Sequence, residues 1–317
     1  MRSPAAFGSE LASGRPRARR SRRGPGGLGT AALPFLAALL LLSACGGEPP
    51  APAGEGTAPG GEARPRLLAL WSDELPAFGV YVPDERPRPE GGGRPQGPPV
   101  YTREGGRALA SNPLYDFLFL NLEGAYDPEA VRAIRAGSAE VPADARPTLL
   151  VRIPPISAEG EDAARARVRE ILSAGADGVV LPHIRSVEEA RTALGFFREA
   201  GADVWSPSNP DGRVVAMLML EDPDAVAAAA EVADLDGLSV LACGIGSLTQ
   251  ALGGDREAAE AGNRAVLAEA TRAGLADMIT ANAESIEARI EQGFLALLMQ
   301  GPTADDVIRQ GRAAAGR

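Results

Sequence analysis

The sequence predicts an α/β fold, a (β/α)₈ or TIM barrel, and three observations predict it. Eight short apolar runs recur along the chain, each of a length suited to a buried strand. Helical patterns separate most of them. The part able to fold, residues 67–317, is roughly the 250 residues that one such barrel needs. A doubly wound open sheet is the alternative, but no glycine-rich nucleotide fingerprint follows the first strand.

At the N-terminus, residues 1–44 have the layout of a secretory signal: arginines from Arg15 to Arg23, the apolar run "TAALPFLAALLLL", then small residues. The apolar run is too short and wrongly flanked for a membrane span. Leu42-Ser43-Ala44-Cys45 resembles a bacterial lipobox, in which the cysteine is lipidated and becomes the first residue. A structural cysteine buried in an apolar N-terminal helix is the plainer reading. Residues 45–66, rich in Gly, Pro, Ala and Glu, can bury almost nothing and read as a flexible tether. The expectation is therefore an exported envelope lipoprotein, held to a membrane by lipid on Cys45.

The strands follow in order as "AFGVYV", "DFLFLNL", "TLLVRI", "GVVLPHI", "VVAMLML", "GLSVLACG", "DMITAN" and "FLALLMQ". The helical patterns between them begin with "DPEAVRAIRAG" and end with "SIEARIEQG". Asp or Ser stands near the start of several and Gly follows several ends, as in capped helices. One stretch interrupts the rhythm. "DERPRPEGGGRPQGPPVYTREGG", after the first strand, reads as a tolerated surface insertion or as a substrate lid, because loops at that end of a barrel build its site.

Composition excludes several function classes. The formal net charge of −10 includes the arginine-rich leader, so the rest is more acidic still and a nucleic-acid partner is not expected. Cys243 is the only cysteine after Cys45, so no internal disulfide framework exists. The chain contains no lysine, and all 32 basic residues are arginines, so carbonyl chemistry through a lysine imine is excluded.

In a barrel, residues at strand C-termini converge on one mouth. Here they are Asn121, Glu123, Arg152, His183, Glu221, Ser247, Asn282 and Gln300. Two carboxylates, a guanidinium and the chain's only histidine would meet there. Glu221 is a candidate metal ligand or acid/base; Arg152 is a candidate anion or carbonyl site. His183 is a candidate base with packing as its plainer role, and Glu123 is a site carboxylate or a helix-entry charge. Asn282 and Gln300 read as loop-satisfying residues.

"FLNLEGAYDPEAV", "LLVRIPPIS", "AGADGVVLPHIRSVEEAR", "MLMLEDPDAV" and "LACGIGSLTQALGG" together resemble successive motifs of the HpcH/HpaI aldolase and citrate lyase superfamily, in order and each at a strand end. The resemblance implies a TIM barrel of the phosphoenolpyruvate/pyruvate type and a metal-dependent lyase acting on a C–C bond beside a 2-oxo acid. It implies Mg²⁺ or Mn²⁺ at Glu221, an enolate or keto contact from Arg152, a small oxo acid as partner, and a homo-oligomer. Two positions depart from the pattern. Ser247 stands where a second metal carboxylate is expected, with Glu123 or Asp222 to compensate, and Gly124 stands where a proton-transfer histidine is expected. The loop before the fifth strand, "GADVWSPSNPDGR", is compact, and Trp205 in it lines the mouth or covers apolar surface. A catalytically degenerate barrel that binds an oxo acid or sugar acid is the alternative function.

Overall fold

The computed structural model describes residues 64–87 and 95–317. The predicted leader, Cys45 and nearly all of the predicted tether lie outside the described residues.

Eight parallel strands form the barrel: β1 Ala77–Tyr81, β2 Phe117–Asn121, β3 Thr148–Arg152, β4 Gly178–Ile184, β5 Val215–Leu220, β6 Val240–Cys243, β7 Met278–Thr280 and β8 Ala296–Met299. Their order is β6-β5-β4-β3-β2-β1-β8-β7. The ring closes between β6 and β7 through a parallel bridge from Val240 to Ala276, in which Leu241 N–H donates to Ala276 O at 3.2 Å and Ala276 N–H to Ser239 O at 3.1 Å. Every predicted strand is present at its predicted place, because each apolar run is buried on both faces as a parallel barrel requires.

The residue just ahead of each of three alternate strands pins the start of the strand before it. Asp116, ahead of β2, accepts from Phe78 N–H at 2.9 Å; Asp177, ahead of β4, from Leu149 N–H at 2.8 Å; Ser239, ahead of β6, from Ala216 N–H at 2.9 Å. Small polar side chains thus fix register at the N-terminal end and leave the strand interiors apolar.

The barrel interior is filled by side chains such as Phe117, Phe119, Leu150, Met217 and Leu298, and a helix, Arg66–Ser72, closes its N-terminal end. Leu67, Leu68 and Trp71 of that helix belong to the interior cluster, and Trp71 Nε1–H donates to Leu295 O at 2.9 Å. Trp205 packs against Trp71 with ring centroids 5.6 Å apart, so it covers the apolar floor and does not line the mouth.

The helix Arg103–Ala110 begins inside the stretch read as a loop. Its two adjacent glycines, poor helix formers, hide it from propensity reasoning. Tertiary contact explains it: a Cβ at Gly106 would lie 2.6 Å from Ile134 O, and one at Gly137 would lie 2.0 Å from Arg103 O. The helix and its neighbour Pro128–Ser138 pack backbone to backbone, which only glycine allows. The ends of the insertion are tied together, since Glu85 accepts from Thr102 N–H at 2.7 Å and Asp84 from Val100 N–H at 3.1 Å. Its described residues do not line the mouth cavity. No helix among the described residues is long and apolar enough to cross a membrane.

Candidate active site at the strand C-termini

Four of the residues expected at the mouth meet in a closed ring of charged and ionisable groups. Arg152, last in β3, places Nη2 2.9 Å from Glu123 Oε2 and 3.4 Å from both carboxylate oxygens of Glu221. His183 faces the same two carboxylates from the other side, with Nε2 3.0 Å from Glu123 Oε1 and Nδ1 3.2 Å from Glu221 Oε2. A neutral imidazole donates at one nitrogen only, so both contacts are hydrogen bonds together only in the imidazolium form.

Local backbone geometry builds this ring. The pairing of β4 with β5 shifts register between Leu181 and Ile184, a bulge that re-aims the residues within it. His183 sits in the bulge at φ 55°, a left-handed conformation rare for a residue with a side chain. That turn sends its backbone N–H to Glu221 Oε2 at 2.7 Å as well. Glu221, one residue beyond β5, is 4% exposed, which makes these partners essential to its charge. Gly244, just past β6, leaves room for it: a Cβ there would lie 2.2 Å from Glu221 Oε1.

Arg152 and Glu221 of the ring line a cavity of about 240 Å³ together with Tyr81, Phe119, Ser247 and Thr280, while Glu123 and His183 stand behind them, outside its lining. Ser247 therefore reaches the cavity from the helix Ile245–Ala251. Asn121 and Asn282 do not join the ring. Asn121 Oδ1 accepts from Glu123 N–H at 3.1 Å, and Asn282 Oδ1 from Glu284 and Ser285 N–H at 3.0 Å, so both hold turns. Gln300 is exposed and does not line the cavity.

Tyr81 was not among the expected mouth residues, although its place at the end of β1 marks it by the same rule as the others. Its ring meets Phe119 edge-on at 5.2 Å. Burial pushes its phenol above the usual range; Arg152 opposes the shift, and Glu221 and Glu123 add to it. A protonated hydroxyl is thus kept in the cavity wall. Burial likewise pushes the Cys243 thiol up to about 12, with Asp277, Glu221 and Glu260 adding to the shift and Arg289 opposing it.

The donor set tests whether a hard cation fits. All four oxygens of Glu123 and Glu221 already face a guanidinium or imidazole nitrogen. Ser247 supplies only a neutral oxygen, and Asp222 is spent capping the next helix, accepting from Ala225 N–H at 2.9 Å. Among the described residues no group of three or more His, Cys, Asp or Glu is arranged to hold a metal ion. As arranged, the residues present do not make a divalent-cation site. Gly124 differs in kind from Ser247, because a Cβ there meets nothing within 4 Å, so crowding does not account for a glycine at that place.

The arrangement offers a fixed positive fork and hydroxyls from Tyr81, Ser247 and Thr280 around one small cavity, with a histidine next to it that contacts two carboxylates. Arg152 Nε–H is sealed from solvent with no acceptor, which costs about 1–3 kcal/mol.

Comparison with known proteins bears on this site. The family profile for HpcH/HpaI aldolase/citrate lyase matches residues 110–299. No curated protein matches the chain. Among solved structures it resembles the HpcH/HpaI aldolase from Desulfitobacterium hafniense DCB-2, at 19% identity and a TM-score of 0.57 over 79% of this chain and 95% of that one. It also resembles an HpcH/HpaI aldolase/citrate lyase family protein from Burkholderia cenocepacia J2315, at 21% identity and a TM-score of 0.57 over 80% of this chain and 98% of that one. A third likeness is to the citrate lyase beta subunit complexed with oxaloacetate and magnesium from M. tuberculosis, at 18% identity and a TM-score of 0.52 over 78% and 98%. At these identities the structural likeness shows the fold.

Proposed function

The chain belongs to the HpcH/HpaI aldolase/citrate lyase family, and from that premise we propose that it is a carbon–carbon lyase acting beside a 2-oxo acid unit, with Arg152 as the group that holds the developing enolate. The family is one of aldolases and lyases, which supports a lyase-type function. The observation that carries the finer reading is the guanidinium of Arg152, held in place by Glu123 and Glu221 and lining a small cavity, where its fixed positive charge faces a bound oxygen.

With a 4-hydroxy-2-oxo acid bound, His183 takes the C4 hydroxyl proton as the C3–C4 bond breaks, releasing an aldehyde. The bonding electrons move to the C2 oxygen, forming an enolate next to Arg152, and His183 returns the proton to C3. Magnesium accompanies oxaloacetate in the M. tuberculosis relative, and the resemblance implies Mg²⁺ or Mn²⁺ here. The donor set of this chain does not fit such an ion, so no step is assigned to one.

A retro-aldol screen with 4-hydroxy-2-oxo acids, following pyruvate release with Mg²⁺, with Mn²⁺ and with a strong chelator, tests the reading. Weak turnover that survives the chelator and disappears in Arg152→Ala is the expected result. The replacements at Ser247 and Gly124 favour one other reading, a barrel that binds an oxo acid without turning it over. Saturable oxo-acid binding with no product under any condition would select it.

Export and anchoring through Cys45 belong to the same proposal and rest on the order of the basic, apolar and small-residue segments. Cys45→Ala should release the protein from the membrane fraction or block its processing; unchanged retention would refute the anchor. A homo-oligomer, also proposed, would appear as a multiple of the chain mass in light scattering.

A further inference from the structure

The end of the barrel opposite the mouth carries a second cavity, of about 310 Å³, whose lining includes Arg64, Arg66, Arg135, Arg146 and Arg213 and a single carboxylate, Asp177. Thr148 opens β3, and Asp177 and Val214 lie just before β4 and β5, so the cavity belongs to the N-terminal face. In a chain whose formal net charge is −10, five arginines around one cleft are a marked concentration of positive charge.

For Arg64, Arg66, Arg135 and Arg146, acidic partners neutralise only part of it. Arg135 forms a two-point pair with Asp177, Nη2 to Oδ1 at 3.0 Å and Nη1 to Oδ2 at 3.1 Å. Arg66 Nε–H donates to Asp116 at 3.0 Å, but Arg312 and Arg317 share that same carboxylate. Arg146 donates to backbone carbonyls, at 3.1 Å to Ser138 O and 3.3 Å to Val141 O, and Arg64 donates to Pro210 O at 2.7 Å. Carbonyl contacts orient a guanidinium without cancelling its charge. Arg64 is exposed and Arg146 is half-buried, so these two oriented donors border space that a ligand can enter.

We propose that this cleft is a binding site for a phosphate group. Planar guanidinium forks match pairs of phosphate oxygens, and several of them around a concave surface suit a dianion better than a single carboxylate. The inference does not rest on the lyase reading, since the two cavities lie at opposite ends of the strands. The phosphate has two possible sources, the headgroup of an anionic phospholipid or a soluble phosphate-bearing compound. Residues 46–63 separate Arg64 from Cys45, a span of no more than about 65 Å even at full extension. A lipid on Cys45 would therefore keep this face within reach of a bilayer.

The test uses the full chain carrying Cys45→Ala, so that no lipid is attached. Titration with inorganic phosphate at constant ionic strength should show saturable binding. Arg64→Gln with Arg213→Gln, both exposed positions, should weaken it at least tenfold. Arg146→Lys, which keeps the charge but not the fork, should weaken it threefold or more, while Arg191→Gln on an outer helix should leave it unchanged. Co-sedimentation with phosphatidylglycerol-containing vesicles and with pure phosphatidylcholine vesicles separates the sources. A preference for the former that the double variant loses assigns a headgroup; no preference alongside phosphate binding assigns a soluble compound. Absence of saturable phosphate binding, or binding equally affected by Arg191→Gln and the double variant, overturns the proposal.

Discussion

His183 meets Glu221 twice through one oxygen: its backbone N–H lies 2.7 Å and its ring Nδ1 3.2 Å from Oε2. The first contact needs only the backbone at φ 55°, and the second needs the ring. His183→Gly and His183→Ala should therefore separate the two. Glycine adopts this conformation without steric cost, so the glycine variant should be the more stable of the pair by about 1 kcal/mol. Both should lose turnover about 10²- to 10⁴-fold if the ring transfers the proton. Thermal midpoints and pyruvate release measure the two effects, and an alanine variant as active as the parent would remove His183 from the mechanism.

Gly244 sets the position of Glu221 from the far side. Since an added Cβ would stand 2.2 Å from Glu221 Oε1, Gly244→Ala should displace the carboxylate and cost about 1–3 kcal/mol in stability, the usual range for overpacking. Activity should fall further than stability, because Glu221 braces Arg152 and His183 alike. Urea unfolding and kinetics on the same variant give the comparison. An active enzyme of parental stability would mean that the carboxylate can move without consequence.

Ser247→Asp should convert the mouth into a divalent-cation site. It adds an anionic oxygen to a cavity wall that already contains Glu221, and hard cations prefer carboxylates to a neutral hydroxyl. Mg²⁺ or Mn²⁺ should raise the thermal midpoint of the variant and leave that of the parent unchanged; at 100 times Kd the gain is about 2.7 kcal/mol. A comparable rise in the parent would show that Glu221 and Glu123 already suffice.

Cys243 should be inert in the native state. With its thiol pushed up to about 12 by burial, the neutral form prevails throughout the neutral range, and only the thiolate attacks. In the Cys45→Ala chain, where Cys243 is the sole remaining thiol, a thiol reagent at pH 8 should react on unfolding and hardly at all before it. Rapid modification of the folded protein would contradict the burial.

Much of the barrel was legible without coordinates. Apolar runs such as "FLFL" and "VAMLML" lose water on both faces only in a parallel sheet covered on both sides, so their number and spacing define the strands, and the strand ends in turn name Glu123, Arg152, His183 and Glu221. The helix Arg103–Ala110 was not legible, because Gly105 and Gly106 count against a helix locally and are required only by a neighbour that approaches backbone to backbone. The use of those site residues was likewise decided by the fold. A sequence fixes which charges exist, but Coulomb energies depend on separation and burial. Only folding brings Glu123 and Glu221 onto Arg152 and His183, so that four charged or ionisable groups occupy one another instead of standing ready for a metal ion. The five arginines at the opposite end come from separate stretches of chain, and nothing short of tertiary structure could gather them into one cleft.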